Sequence, residues 1–147
     1  METFTYIIGG DCHFGWRSRM KEHAEESEVK PIPVSAPFKR VVKLLVSPEQ
    51  GMEIPGLAEP VLGMLRAKKL TVGITEVPPG GGLAPHTHED TEEVIYVLSG
   101  TAEYTIEGQK IPIKPGSILH IPPKVKHEAK NNSNAMMKQI WCTSPVK

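Results

Sequence analysis

The stretch Gly80-Gly81-Gly82-Leu83-Ala84-Pro85-His86-Thr87-His88-Glu89-Asp90-Thr91-Glu92-Glu93-Val94-Ile95-Tyr96-Val97-Leu98-Ser99-Gly100 carries more information than any other part of this chain. Three glycines let the backbone turn sharply, and Pro85 stiffens the approach to the next residues. Residues 93–98 then read as a strand, rich in β-branched and aromatic side chains and closed by Gly100. Between turn and strand stands His86-Thr87-His88. In a strand, residues i and i+2 point to the same face, so both imidazoles can approach one ion at about 2 Å from each nitrogen. Surface strands carry such pairs by chance, so the pair alone is weak evidence. Glu89, Asp90, Glu92 and Glu93 follow closely, and at least one can supply a hard oxygen ligand.

Outward from this stretch the punctuation is regular. Strands are predicted over 40–46, 69–77, 101–106, 109–113, 117–121, 125–130 and 136–142, with turns at Glu107-Gly108 and Pro115-Gly116. Residues 48–66 are ambiguous: 57–66 has loose helical spacing, but Pro60 and Gly63 argue against a good helix. Many short strands at near-regular spacing predict a sandwich or barrel with only minor helix. His127 falls on a late apolar strand, between Pro122-Pro123 and Asn131-Asn132.

The 147 residues suit one domain, with 14 prolines and 13 glycines spread as punctuation rather than massed. Seventeen basic residues balance seventeen acidic ones, so nothing suggests the clustered basic face of a nucleic-acid binder. Cys12 and Cys142 make no disulfide framework and read as free thiols of a reducing compartment. No basic leader, no long apolar run and no membrane span is evident, which predicts a soluble, cytoplasmic protein. Residues 1–40 read as an N-terminal arm, with an apolar run at 4–8, a charged stretch at 17–28 and extended backbone at Lys30-Pro31-Ile32-Pro33.

Gly80, five residues, His86-x-His88, four residues, Glu93, six residues, Gly100 resembles the first motif of the cupin superfamily. Gly116, five residues, Pro122, then His127, three residues and Asn131 resembles the second. One position departs: the family usually has glycine two residues after that proline, and this chain has Lys124. The resemblance covers residues 41–147. It implies an antiparallel double-stranded β-helix, the jelly-roll or cupin barrel, and one divalent transition metal held by His86, His88, Glu93 and His127. Glu92 is the rival for the carboxylate; Glu93 is preferred because its distance to Gly100 fits the motif. Three imidazoles and a carboxylate suit Fe, Mn, Ni, Co, Cu or Zn, which leaves the metal open.

Tyr96 and His120 are the remaining pocket candidates, Tyr96 as a proton donor or base if it faces the ion. Asp11-Cys12-His13 has the residue types of a metal cluster but no partner pair, and His23 sits among charges as surface. Function divides into two classes. One is a metalloenzyme on a small oxygen-rich molecule, dioxygenase- or oxidoreductase-like first, with isomerase, decarboxylase or lyase as alternatives. The other is a non-catalytic cupin binding a small ligand or sugar. The expected partners are a small-molecule substrate and a second copy of the chain, in a homodimer with the arm against the partner barrel, and no nucleic acid or membrane. The pocket is expected to be apolar, walled by 93–98 and 136–142, with the ligand's oxygens going chiefly to the metal.

Overall fold

Short β-branched runs stopped by glycine and proline become eleven strands among residues 23–146, the part of the chain that the computed structural model describes. They are β1 (Ile32–Val34), β2 (Arg40–Ser47), β3 (Leu65–Arg66), β4 (Thr71–Val77), β5 (Gly82–His86) and β6 (Thr91–Ser99), followed by β7 (Ala102–Ile106), β8 (Gln109–Ile113), β9 (Ile118–Ile121), β10 (His127–Lys130) and β11 (Met137–Pro145). The one helical element among these residues is a single 3₁₀ turn, Glu26–Glu28.

One sheet runs β1-β2-β4-β11-β6-β9, with β3 added to β2 in parallel; the other runs β5-β10-β7-β8. Every other pairing is antiparallel. The strands jump between sheets as they do in a jelly roll. Each strand alternates. In β6, Glu93, Ile95 and Val97 are buried while Val94, Tyr96 and Leu98 are exposed. In β2, Arg40, Val42 and Leu44 point in. The core joins Val42, Leu44, Ile95, Val97 and Trp141 of the large sheet to Tyr104, Ile113 and Ala129 of the small one. Burying each large aliphatic side chain stabilises the barrel by about 1.5–3 kcal/mol.

The predicted hairpin at Glu107-Gly108 is present. Ile106 faces Gln109, and both turn residues have positive φ, 48° and 81°, as a two-residue type I′ turn demands. A tighter constraint acts at Gly73 of β4. A Cβ there would lie 2.2 Å from Cζ2 of Trp141 on neighbouring β11, so only glycine lets the indole lie against the sheet. Trp141 Nε1–H then donates to Thr75 Oγ1 at 2.9 Å.

Residues 57–66 form no helix. Met52 and Val61 exchange backbone hydrogen bonds, each 2.9 Å, so the segment folds back on itself and drops Ile54 into the core. Pro55 and Pro60 remove donors a helix would need. The described part of the N-terminal arm lies on the barrel of its own chain. β1 pairs with β2, Val29 and Val34 are buried, and Glu26 accepts hydrogen bonds from Lys43 Nζ at 2.9 Å and Lys138 Nζ at 2.7 Å. The apolar run at 4–8, Asp11-Cys12-His13 and Trp16 lie outside the described residues. Cys142 is a free thiol, half-buried on the outward side of β11.

Candidate metal centre

The site is assembled by strand register. β5 ends on His86, and antiparallel β10 begins on His127, its direct cross-strand partner. Glu93 is an inward position of β6. His88 lies two residues beyond the end of β5, not within a strand as the alternation argument assumed. It still points to the same centre, because the loop is tied down: the Lys124 N–H donates to the His88 carbonyl at 2.7 Å. One ligand atom from each of His86, His88, Glu93 and His127 lies within 4.8 Å of all the others. Glu92 points outward, where its carboxylate meets His120 Nε2 at 3.0 Å.

The tautomers are set by the second neighbours. His86 Nδ1 is 2.7 Å from the Ala84 carbonyl, and His127 Nδ1 is 3.0 Å from the Val125 carbonyl. A carbonyl only accepts, so each Nδ1 carries the proton and each Nε2 keeps a lone pair. His127 Nε2 is buried without a hydrogen-bond partner, although Glu93 Oε2 is 3.2 Å away. Oε2 is also 3.4 Å from His88 Nε2. Lone pairs and a carboxylate turned on one another need positive charge between them, either a proton or a metal ion. Without an ion the protons carry that charge. Burial alone would raise the Glu93 carboxyl, but His127 and His88 outweigh it and hold the pKa at about 2. At His127 burial pulls the pKa down, and the Glu93 carboxylate overrides it to leave it raised. His86 is lowered, chiefly by burial. The donor set and its orphaned nitrogen therefore fit a divalent transition metal.

The cluster opens into a small cavity of about 50 Å³. Its apolar character is as expected, but its walls are not. They come from Val42 on β2, Met52 and Ile54 on the following loop, and Leu83 on β5, with Trp141 as the contribution of β11. Apart from Glu93, residues 93–98 supply none of the lining, because alternation sends Val94, Tyr96 and Leu98 outside. Tyr96 is 41% exposed on that outer face, and His120 is also exposed there, bonded to Glu92, so neither lines the cavity.

One lining residue escaped the sequence reading. Arg40 is 5% exposed and borders the same cavity as His86, His88 and Glu93. The signal was present in Arg40-Val41-Val42-Lys43-Leu44: once the inward set is Val42 and Leu44, the alternation puts a guanidinium inside.

Comparison with known proteins agrees with the fold. A family model described as a cupin domain matches residues 73–143. An uncharacterized protein of Methanocaldococcus jannaschii is 35% identical over 69 residues, 47% of this chain and 55% of that protein. Quercetin 2,3-dioxygenase of Bacillus subtilis is 33% identical over 60 residues, 41% of this chain but 18% of the enzyme. The crystal structure of a predicted oxalate decarboxylase from Thermotoga maritima superposes with a TM-score of 0.66 at 19% identity, covering 83% of this chain and 97% of that one. The chain spans about half the length of the first curated relatives it matches. The family model and the shared fold support a cupin superfamily protein. No helix among the described residues is long and apolar enough to cross a membrane.

Proposed function

We propose that this chain is a metal-dependent cupin enzyme acting on a small oxygen-rich molecule, with one divalent transition metal held by His86, His88, Glu93 and His127. The observation that carries it is the convergence of three imidazoles and one carboxylate at the end of an open, mostly apolar cavity. A bound metal would supply Lewis acidity or oxygen activation there. The chain does the rest. Backbone carbonyls fix the imidazole tautomers, Glu93 sets the charge of the site, and the apolar walls limit competing water. Oxygen-dependent cleavage or oxidation is the reaction class we favour, in keeping with the similarity to quercetin 2,3-dioxygenase.

The test is elemental analysis of purified protein, then oxygen uptake with small enols and carboxylates. Stoichiometric metal and substrate-dependent uptake are expected. Stoichiometric metal without uptake would leave the site and overturn the reaction class.

We also propose a homodimer. What supports it is the outer face of β6 and β9, where Val94, Tyr96, Leu98 and Ile118 are each at least 41% exposed. Light scattering that gives a monomer at micromolar concentration would reject it.

A further inference from the structure

We propose that Arg40 is a carboxylate-binding residue, so that the small ligand of this cavity is an acid with one carboxylate on Arg40 and another oxygen at the histidine cluster. The part that concerns the cluster rests on the metal proposal; the part that concerns Arg40 does not.

Arg40 stands on the first inward position of β2 and is almost wholly buried. Its Nη2 donates to the Pro55 carbonyl, which holds the rim loop over the cavity. Its Nη1 is buried with no hydrogen-bond partner. No carboxylate among the described residues forms an ion pair with it, and burial alone acts on its pKa, pushing it down. An unpaired buried cation is costly, because burial strips its hydration and nothing replaces it. Charges of this kind are paired in folded proteins, and here the unused donor borders a cavity open to solvent. The missing counter-charge must come through that opening.

The ligand class is fixed by chemistry. Arginine donors match planar carboxylates well. A phosphate would require more donors than one free nitrogen, and among the described residues Arg40 is the one basic side chain besides the histidines that lines this cavity. Glu93 neutralises half the charge of a divalent ion, so ion and guanidinium together leave two positive charges in excess. A small dianion, such as a dicarboxylate or a carboxylate bearing an enolate, balances them. The apolar remainder, Val42, Ile54, Leu83 and Trp141, accepts a short carbon skeleton and little else.

Malonate and its neutral diamide, malonamide, test this by calorimetric titration of both metal-free and cobalt-loaded protein. Wild type should bind malonate at least tenfold more tightly than malonamide in both forms. Metal-free Arg40→Gln should lose that preference, the variant should bind cobalt at the wild-type stoichiometry, and Arg40→Lys should keep part of the preference. A metal-free wild type indifferent to ligand charge, or a folded metal-free Arg40→Gln that still prefers malonate, overturns the assignment. A protein that takes up no cobalt but shows an Arg40-dependent preference for malonate sinks the metal proposal and leaves Arg40 in place. Nuclear magnetic resonance guards against misfolding of Arg40→Gln. The guanidinium N–H signal of wild-type Arg40 should shift with malonate and stay put with malonamide; an unmoved signal again overturns the assignment.

Discussion

His127 stands directly across the β5–β10 pair from His86, with their ring centroids 4.1 Å apart. Two cluster histidines from opposite motifs are thus brought together by sheet register, without depending on a loop. A slip of one residue would turn His127 out of the barrel.

The four cluster residues should not be equivalent when replaced. His127 is 1% exposed and Glu93 leans on it, whereas His88 is half-buried at the cavity mouth. His127→Ala should abolish metal uptake and also destabilise the metal-free protein by about 3 kcal/mol, since it strips a buried carboxylate of the nearer of its two imidazole partners. His88→Ala should weaken metal binding with less than about 1 kcal/mol lost. Metal analysis and urea unfolding in chelator check both; equal stability losses would contradict the burial argument.

Lys124 adopts φ of 67°, a left-handed conformation that favours glycine, and its N–H is the one that holds the His88 carbonyl. Lys124→Gly keeps that N–H and removes the Cβ strain. It should stabilise the protein by about 1 kcal/mol without changing metal content. A lower denaturation midpoint would show that the lysine side chain has a use of its own.

Gly73→Ala should cost more than about 2 kcal/mol, because the new methyl group collides with the Trp141 ring and no far end of a flexible chain is there to yield. Thermal unfolding measures the loss. A near-neutral result would mean that β4 and β11 can part without harm.

The Glu26 carboxyl is held below its ordinary value by hydrogen bonds from Lys138 and then Lys43. A folded-state pKa below the unfolded one gives stability that is complete above the unfolded value, near 4.5, and is lost as pH falls through the lower folded value. Wild type should therefore exceed Glu26→Gln slightly at pH 7 and match it at strongly acid pH. The pair is solvent-facing, so salt should shrink the difference. Denaturation series at both pH values read it.

Much of this was legible in the sequence because the chemistry is local. The spacing from Gly80 to Gly100 implied, through the family resemblance, which glutamate belongs to the cluster, and the alternation of β6 puts Glu93 inside and Glu92 outside. Lys124, the one departure from the second motif, takes the backbone conformation a glycine would. What failed was of two kinds. Residues 94–98 looked suitable on hydrophobicity, but with Glu93 inward the alternation turns Val94, Tyr96 and Leu98 out; that β2 and the loop after it supply the lining instead depends on non-local pairing. Tyr96 and His120 fell to the same parity: they share one outer face, on the neighbouring strands β6 and β9. The helical spacing of 57–66 was overruled by a long-range partner, Met52, which periodicity cannot see.

The indole that lies against Gly73 also borders the cavity, so the protein carries its own optical gauge of what enters. The chain has two tryptophans, Trp16 and Trp141, and a Trp16→Phe variant would leave Trp141 as the sole indole emitter. Its light would then report on the cavity alone. An ion with a partly filled d shell would dim it, zinc would leave it bright, and a small acid arriving beside it would shift its colour, all in unlabelled protein and in real time.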